Sequence, residues 1–184
     1  MARLVYSMLA SLDGYIADEQ GDFSWAVPDD EVHAFVNDLQ RDVGTMLMGR
    51  RMYQVLAAWE DMDVRDEPAP VVAFKALWLD TDKVVYSAGP PEIRTARTRV
   101  ERTFEPGAVR ELKAIADRDL SIGGPTLAAQ ALEAGIVDEV TLFLAPMIVG
   151  GGTRVLPEGY RAPLELIEER RFGGGFVMLR YRPR

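Results

Sequence analysis

Two short stretches of the chain carry residues fit to hold an anion. The first is Ile122-Gly123-Gly124-Pro125-Thr126-Leu127, where two side-chain-free positions separate an apolar run from a segment of helical spacing. A strand that delivers two glycines into a helix opening with proline leaves backbone N–H groups unpaired at the positive end of the helix dipole. Proline loses little there, because its N–H would have no intrahelical partner anyway, and glycines let a phosphate approach the backbone. Taken alone, Gly-Gly-Pro reads first as a tight strand-to-helix turn. The second stretch is Met48-Gly49-Arg50-Arg51. Again a glycine opens a helix, and two guanidinium forks suited to phosphate oxygens follow directly. Taken alone, these arginines are readable as solvated surface charges, but two anion sites on one sheet suggest a dinucleotide. Ser87, ending the β-branched run "KVVYS", is a third candidate, because ligands collect at strand carboxyl ends in α/β sheets.

Such sites need a scaffold, and 184 residues are enough for one domain, 1–184, with its own core. No apolar run approaches the ~20 residues needed to span a bilayer. The opening "MARLVYSML" lacks the features of a secretory signal, so a stand-alone cytoplasmic protein is the expectation. With no cysteine and His33 as the single histidine, disulfides, thiolate or histidine zinc sites and a Ser-His-Asp triad are excluded. A net charge of −8 argues against nucleic acid as a partner while leaving room for a local basic pocket.

The apolar periodicity alternates between strand and helix. "RLVYSMLASLDGYIA" reads as a strand broken at Asp13-Gly14, and "VPDDEVHAFVNDLQRDVG" as an amphipathic helix ending at Gly44. "TMLMG" is a strand, "RRMYQVLAAW" and "VVAFKALWL" are helices, and "DKVVYS" is a strand. "TRVERTF" reads as an exposed strand, "PGAVRELKAIAD" as a helix, "DLSI" as a buried strand, and the segment opening at Pro125 as a helix. "DEVTLFLAPMIVGGG", "LELIEERRF" and "GFVMLRYRPR" read as three closing strands, the last two joined through Gly173 to Gly175. The expected fold class is α/β: a central, mostly parallel sheet with an antiparallel C-terminal edge and helices on both faces.

The set "SLDGYIA", "MGRRMYQ", "KVVYS", "IGGPTLAAQAL" and "VDEVTLFLAPMIVGGG" resembles the dihydrofolate reductase-like superfamily, nearest to the reductase domain of the bifunctional riboflavin-biosynthesis deaminase-reductases. The resemblance covers nearly the whole chain in order. It implies a hydride-transferring enzyme that uses NADPH and a small, flat heterocyclic or sugar-linked substrate, in a homodimer. It further implies that Ile122, Gly123, Gly124, Pro125, Thr126 and Leu127 border the cofactor pyrophosphate. Gly49, Arg50 and Arg51 would face the adenosine 2′-phosphate, with Ser87 beside them. A non-catalytic nucleotide-binding protein of the same fold, or a reductase using flavin or deazaflavin, would share these features.

The same resemblance gives roles to three residues at the substrate end. Asp13 stands where the related reductases also carry an aspartate, and is otherwise a turn residue. Glu31 falls where folate reductases carry a helix-borne acid, and is otherwise an acid favoured at a helix start. Trp25 either stacks on a substrate ring or packs its loop. His33, one turn into the first helix, reads as a solvated helix residue. Two departures matter. The riboflavin-pathway reductases commonly carry an acid where this chain has Ile122, which argues against their pyrimidine substrate. The H-x-E and P-C-x-x-C signatures of the deaminase module are absent, which excludes deamination.

Overall fold

Neighbouring residues of Met46-Leu47-Met48 and of Val84-Val85 point to opposite faces of their strands, yet all five are buried. That is the pattern of strands covered by helices on both sides. The computed structural model describes residues 1–184. The chain runs β1 (Leu4–Ser11), β2 (Tyr15–Ala17), α1 (Asp30–Gln40), β3 (Val43–Gly49), α2 (Arg50–Leu56), α3 (Ala69–Asp80), β4 (Asp82–Tyr86) and β5 (Thr98–Glu101). It continues with α4 (Pro106–Ile115), β6 (Asp119–Gly123), α5 (Pro125–Glu133), β7 (Glu139–Ala145), β8 (Thr153–Arg154), β9 (Leu164–Arg171) and β10 (Val177–Pro183).

Eight strands form one sheet in the order β5-β4-β3-β6-β1-β7-β10-β9. The six from β5 to β7 are parallel. β10 joins β7 antiparallel and β9 closes the edge antiparallel to β10, as the sequence pattern leads one to expect. β2 and β8 form a separate two-stranded ribbon. On one face Leu4, Tyr6, Leu47, Val84, Leu120 and Ile122 pack with Val109 of α4 and Leu127, Ala128, Ala131 and Leu132 of α5. On the other, Met46, Met48 and Val85 meet Tyr53 of α2 and Trp78 of α3, while Phe143, Ala145 and Met178 meet Val32 and Phe35 of α1. Each fully buried leucine here contributes about 1.5–3 kcal/mol relative to exposure. No helix is long and apolar enough to cross a membrane.

Three local expectations are corrected. Helix α1 ends at Gln40, and Gly44 lies inside β3, where a Cβ would come 2.8 Å from the Arg118 Cβ. That glycine serves close packing between segments rather than a helix stop. β7 ends at Ala145, because Pro146 has no N–H to extend the ladder, and residues 146–152 form a loop instead of more strand.

His33 is half-buried, not solvated. Its ring lies 5.7 Å from Phe74 and 6.4 Å from Trp59, centroid to centroid. Burial pushes the imidazole below its ordinary pKa, with nearby Asp30 opposing. Below pH ~6.5 the unfolded chain therefore binds the proton more readily than the folded one. Stability is expected to be full above that pH and to fall as pH drops toward the folded pKa. With one histidine in the chain, NMR gives a single imidazole titration, and His33→Phe should flatten the melting temperature between pH 5 and 7. A parent imidazole titrating above 6.5 would contradict this.

Candidate functional site

Strand register places the two glycine-bearing stretches side by side. Met48 pairs with Gly123 across β3 and β6, so Gly49 and Gly124 leave neighbouring strands set about 4.8 Å apart. After Gly49 the chain enters α2 on the face of Met46 and Met48, and after Gly124 it enters α5 on the opposite face. Adjacent strands that send their helices to opposite faces open a crevice between their carboxyl ends. β1 lengthens one wall: its pairing with β6 stops at Tyr6, whereas its pairing with β7 runs on to Ser11.

The two glycine stretches differ in what they need. Gly124 caps α5 at φ 86° and ψ 127°, a conformation suited to glycine, and no side chain caps the helix. Pro125 is the first helical residue, so the N–H groups of Thr126 and Leu127 lack intrahelical acceptors. A Cβ at Gly123 would collide with the Met52 thioether, so that glycine already has an occupant from the protein itself. Gly49 has an ordinary φ of −76° and nothing within 4 Å of a would-be Cβ. Neither strain nor packing requires glycine at position 49, and the space beside it is open. Arg50 and Arg51 are exposed and pair with no carboxylate. Two cations at the positive end of a helix cost about 0.3–1 kcal/mol each, which a bound anion would offset.

The remaining candidates of the phosphate end contribute less. The side chains of Ile122 and Leu127 lie in the core, so only their backbone can face a ligand. Ser87 is buried and its hydroxyl donates to the Gly89 carbonyl at 2.7 Å, which occupies it within its own loop.

Both acids expected at the substrate end are engaged elsewhere, and neither lines the cleft around Trp25. The Asp13 carboxylate accepts the Gly150 N–H at 2.8 Å and the Val149 N–H at 3.2 Å, tying the turn after β1 to the loop after β7. The Ser11 hydroxyl, followed by those N–H groups, holds Asp13 below the usual carboxylate range. Glu31 accepts the Gly173 N–H at 2.9 Å and faces Arg170 at 3.6 Å, which ties α1 to the β9–β10 turn. The indole N–H of Trp25 donates to the Asp22 carbonyl at 3.2 Å, and its ring lines a cleft of about 500 Å3. Asp18, Glu19 and Asp22 line the same cleft, and the loop from Met147 to Gly151 completes it.

The cleft and the crevice are thus separate surfaces. None of Gly49, Arg50, Arg51, Ser87, Gly123 or Gly124 lines the cleft, but both features belong to loops at the carboxyl ends of the parallel strands. A smaller cavity of about 100 Å3 lies toward the strands' amino ends, among Ser7, Ser121, Thr141 and the ion-paired Arg3 and Arg180. Sequence reasoning missed Met52 and the loop from Met147 to Gly151. The proline before three glycines in "PMIVGGG" is the signal that would have found that loop.

A model of the RibD C-terminal domain family matches residues 2–178. The chain is 25% identical over 185 residues to the protein YyaP of Bacillus subtilis, covering 97% of this chain and 94% of that one. It is 44% identical over 68 residues to the riboflavin biosynthesis protein RibD of Mycobacterium tuberculosis, 34% of this chain and 20% of that protein. Among solved structures, a pyrimidine reductase-like protein from Corynebacterium diphtheriae superposes with a TM-score of 0.71 at 15% identity, covering 100% of this chain and 92% of the other. At that identity the superposition shows the fold, which is dihydrofolate reductase-like.

Proposed function

The chain belongs to the RibD C-terminal domain family, and from that premise we propose that it is a cytoplasmic NADPH-dependent reductase of a small, flat heterocycle. The observation that carries this reading is the crevice between two helix starts, with unpaired Arg50 and Arg51 on one side and the uncapped start of α5 on the other. The residues fit a phosphorylated dinucleotide. The N–H groups of Thr126 and Leu127 would hold its pyrophosphate, Arg50 and Arg51 its 2′-phosphate, and the open space at Gly49 admits it to the backbone. When bound, NADPH supplies the hydride. Trp25 orients a planar acceptor, and the loop from Met147 to Gly151, fixed by Asp13, excludes water from it. In this reading Asp13 and Glu31 are positioning residues that act through the loops they tether.

The test is loss of reduced-nicotinamide absorbance with NADPH and a panel of pterins, pyrimidines and quinone-like carbonyls. Substrate-dependent oxidation supports the enzyme. NADPH binding without turnover across the panel favours a second reading, a non-catalytic nucleotide-binding protein, which draws on the fact that both candidate acids are already hydrogen-bonded to backbone.

A homodimer is part of the proposal. β9 is an edge strand, and Leu164, Leu166 and Ile167 on it are exposed. An unpaired apolar edge is readily covered by a second copy of itself. Sedimentation equilibrium should give a dimer at micromolar concentration, shifted toward monomer in Leu166→Lys. A parent monomer would contradict the expectation.

A further inference from the structure

We propose that the cleft between Trp25 and the loop from Met147 to Gly151 selects a flat heterocycle that carries no phosphate, neutral or cationic, a specificity that rests on the reductase reading above. Its volume of about 500 Å3 suits a small molecule of two or three fused rings. The walls are apolar: Trp25 on one side, and Met147 and Ile148, both exposed, on the other. The rim is acidic, with Asp18, Glu19 and Asp22, and no lysine, arginine or histidine lines it.

Two of those acids are held in place by hydrogen bonds. Asp18 accepts the N–H groups of Gln20 and Asp22, both at 2.9 Å. Asp22 accepts the Ser24 N–H at 3.1 Å and the Ser24 hydroxyl at 2.8 Å, and these hold it below the usual carboxylate range. Glu19 has no hydrogen-bond partner and lies against Gly151. Arg154, on the adjoining ribbon, pairs with Glu158 and stacks over Tyr15, so it brings no free charge to the cleft.

A second, independent feature points the same way. A glycine-rich turn such as Val149-Gly150-Gly151 presents successive N–H groups of the kind that receive a phosphate. Here the Val149 and Gly150 N–H groups are already taken by the Asp13 carboxylate. A substrate phosphate would have to displace that internal anion and then sit beside three carboxylates with no counter-charge. A planar ring bearing amino or hydroxyl donors meets no such obstacle, since the rim offers it acceptors.

The experiment uses matched probe pairs, uridine with UMP, guanosine with GMP, and riboflavin with FMN, titrated to millimolar concentration. Binding is read by NMR at the Trp25 indole N–H and the Gly151 amide. For at least one pair the unphosphorylated member is expected to shift both signals and to bind tenfold or more tightly than its phosphate, and Glu19→Lys should narrow that ratio at least threefold. A phosphorylated member binding as tightly as its partner, no member shifting these signals, or an unchanged ratio in Glu19→Lys would each overturn the proposal. NADPH titrated separately and read at the Thr126 and Leu127 amides distinguishes the two failures. Shifts there without discrimination in the cleft leave the reductase reading standing and sink the specificity. Discrimination in the cleft without NADPH binding does the reverse.

Discussion

Replacing Arg50 and Arg51 together by alanine is expected to weaken NADPH binding tenfold or more and to leave NADH binding nearly unchanged. The parent should therefore prefer NADPH by at least that factor, and the double variant should have little preference left. The two nucleotides differ only at the 2′-phosphate, and a charge-assisted hydrogen bond contributes about 1.5–3 kcal/mol, which corresponds to roughly tenfold or more. The structure makes the test clean. Both side chains are exposed and neither holds an ion pair, so their removal breaks no ion pair within the fold. Two cations at the start of α2 oppose its dipole, and losing them should leave the melting temperature unchanged or slightly raised. A loss of NADPH affinity accompanied by a loss of stability would point to misfolding rather than to a missing phosphate contact. Calorimetric titration of both nucleotides settles the matter, and equal affinities in the parent would sink the assignment of this crevice.

The contrast between Gly49 and Gly123 shows where sequence reading reaches its limit. Both precede a helix, and both invite a ligand on sequence grounds. Position 123 is instead covered by Met52, a contact between α2 and β6 that pairs residues 71 positions apart. No local pattern reports such a contact, whereas the continuous apolar run Met46-Leu47-Met48 and the helical spacing in α4 and α5 are local and legible. The insertion of β6 between β3 and β1 belongs to the same non-local class. The order of elements suggested a parallel sheet, but which strand neighbours which is decided by packing of helices on the two faces. The boundary errors have simpler causes. Glycine often ends helices, but Gly44 is a strand residue pressed by Arg118. The apolar run through "PMIVGGG" masked the end of β7, although Pro146 forbids a further ladder bond, and with it went the loop that forms half of the cleft. Asp13 was visible as a turn residue, but its partners Val149 and Gly150 lie 136 and 137 positions away.

Gly124→Val is expected to lose both stability and cofactor affinity, and Gly135→Val to lose stability alone. Each glycine sits at positive φ, 86° and 62°, where a branched side chain is strained. The cost of such a residue is about 1–3 kcal/mol, and at this chain length each kcal/mol lowers the melting temperature by about 2–4 °C, so both variants should melt roughly 2–12 °C below the parent. Steric collision adds little at either site. A Cβ at Gly124 has Met52 atoms no nearer than 3.9 Å, and one at Gly135 meets nothing within 4 Å. The two positions part company in what lies beyond them. Gly135 follows the far end of α5, while Gly124 is the N-terminal cap, and the N–H groups that follow it are the ones proposed to hold the cofactor. Valine at 124 stands in the approach to those groups and turns the cap away from the conformation that presents them, so NADPH affinity in the folded protein should fall tenfold or more. The matched strain at Gly135 removes generic glycine loss as an explanation. Thermal melting without ligand, paired with NADPH titration well below each variant's melting temperature, reads the two effects separately. Equal melting losses with parent-like affinity in Gly124→Val would reduce that glycine to a turn residue and leave the start of α5 without a role in holding the cofactor.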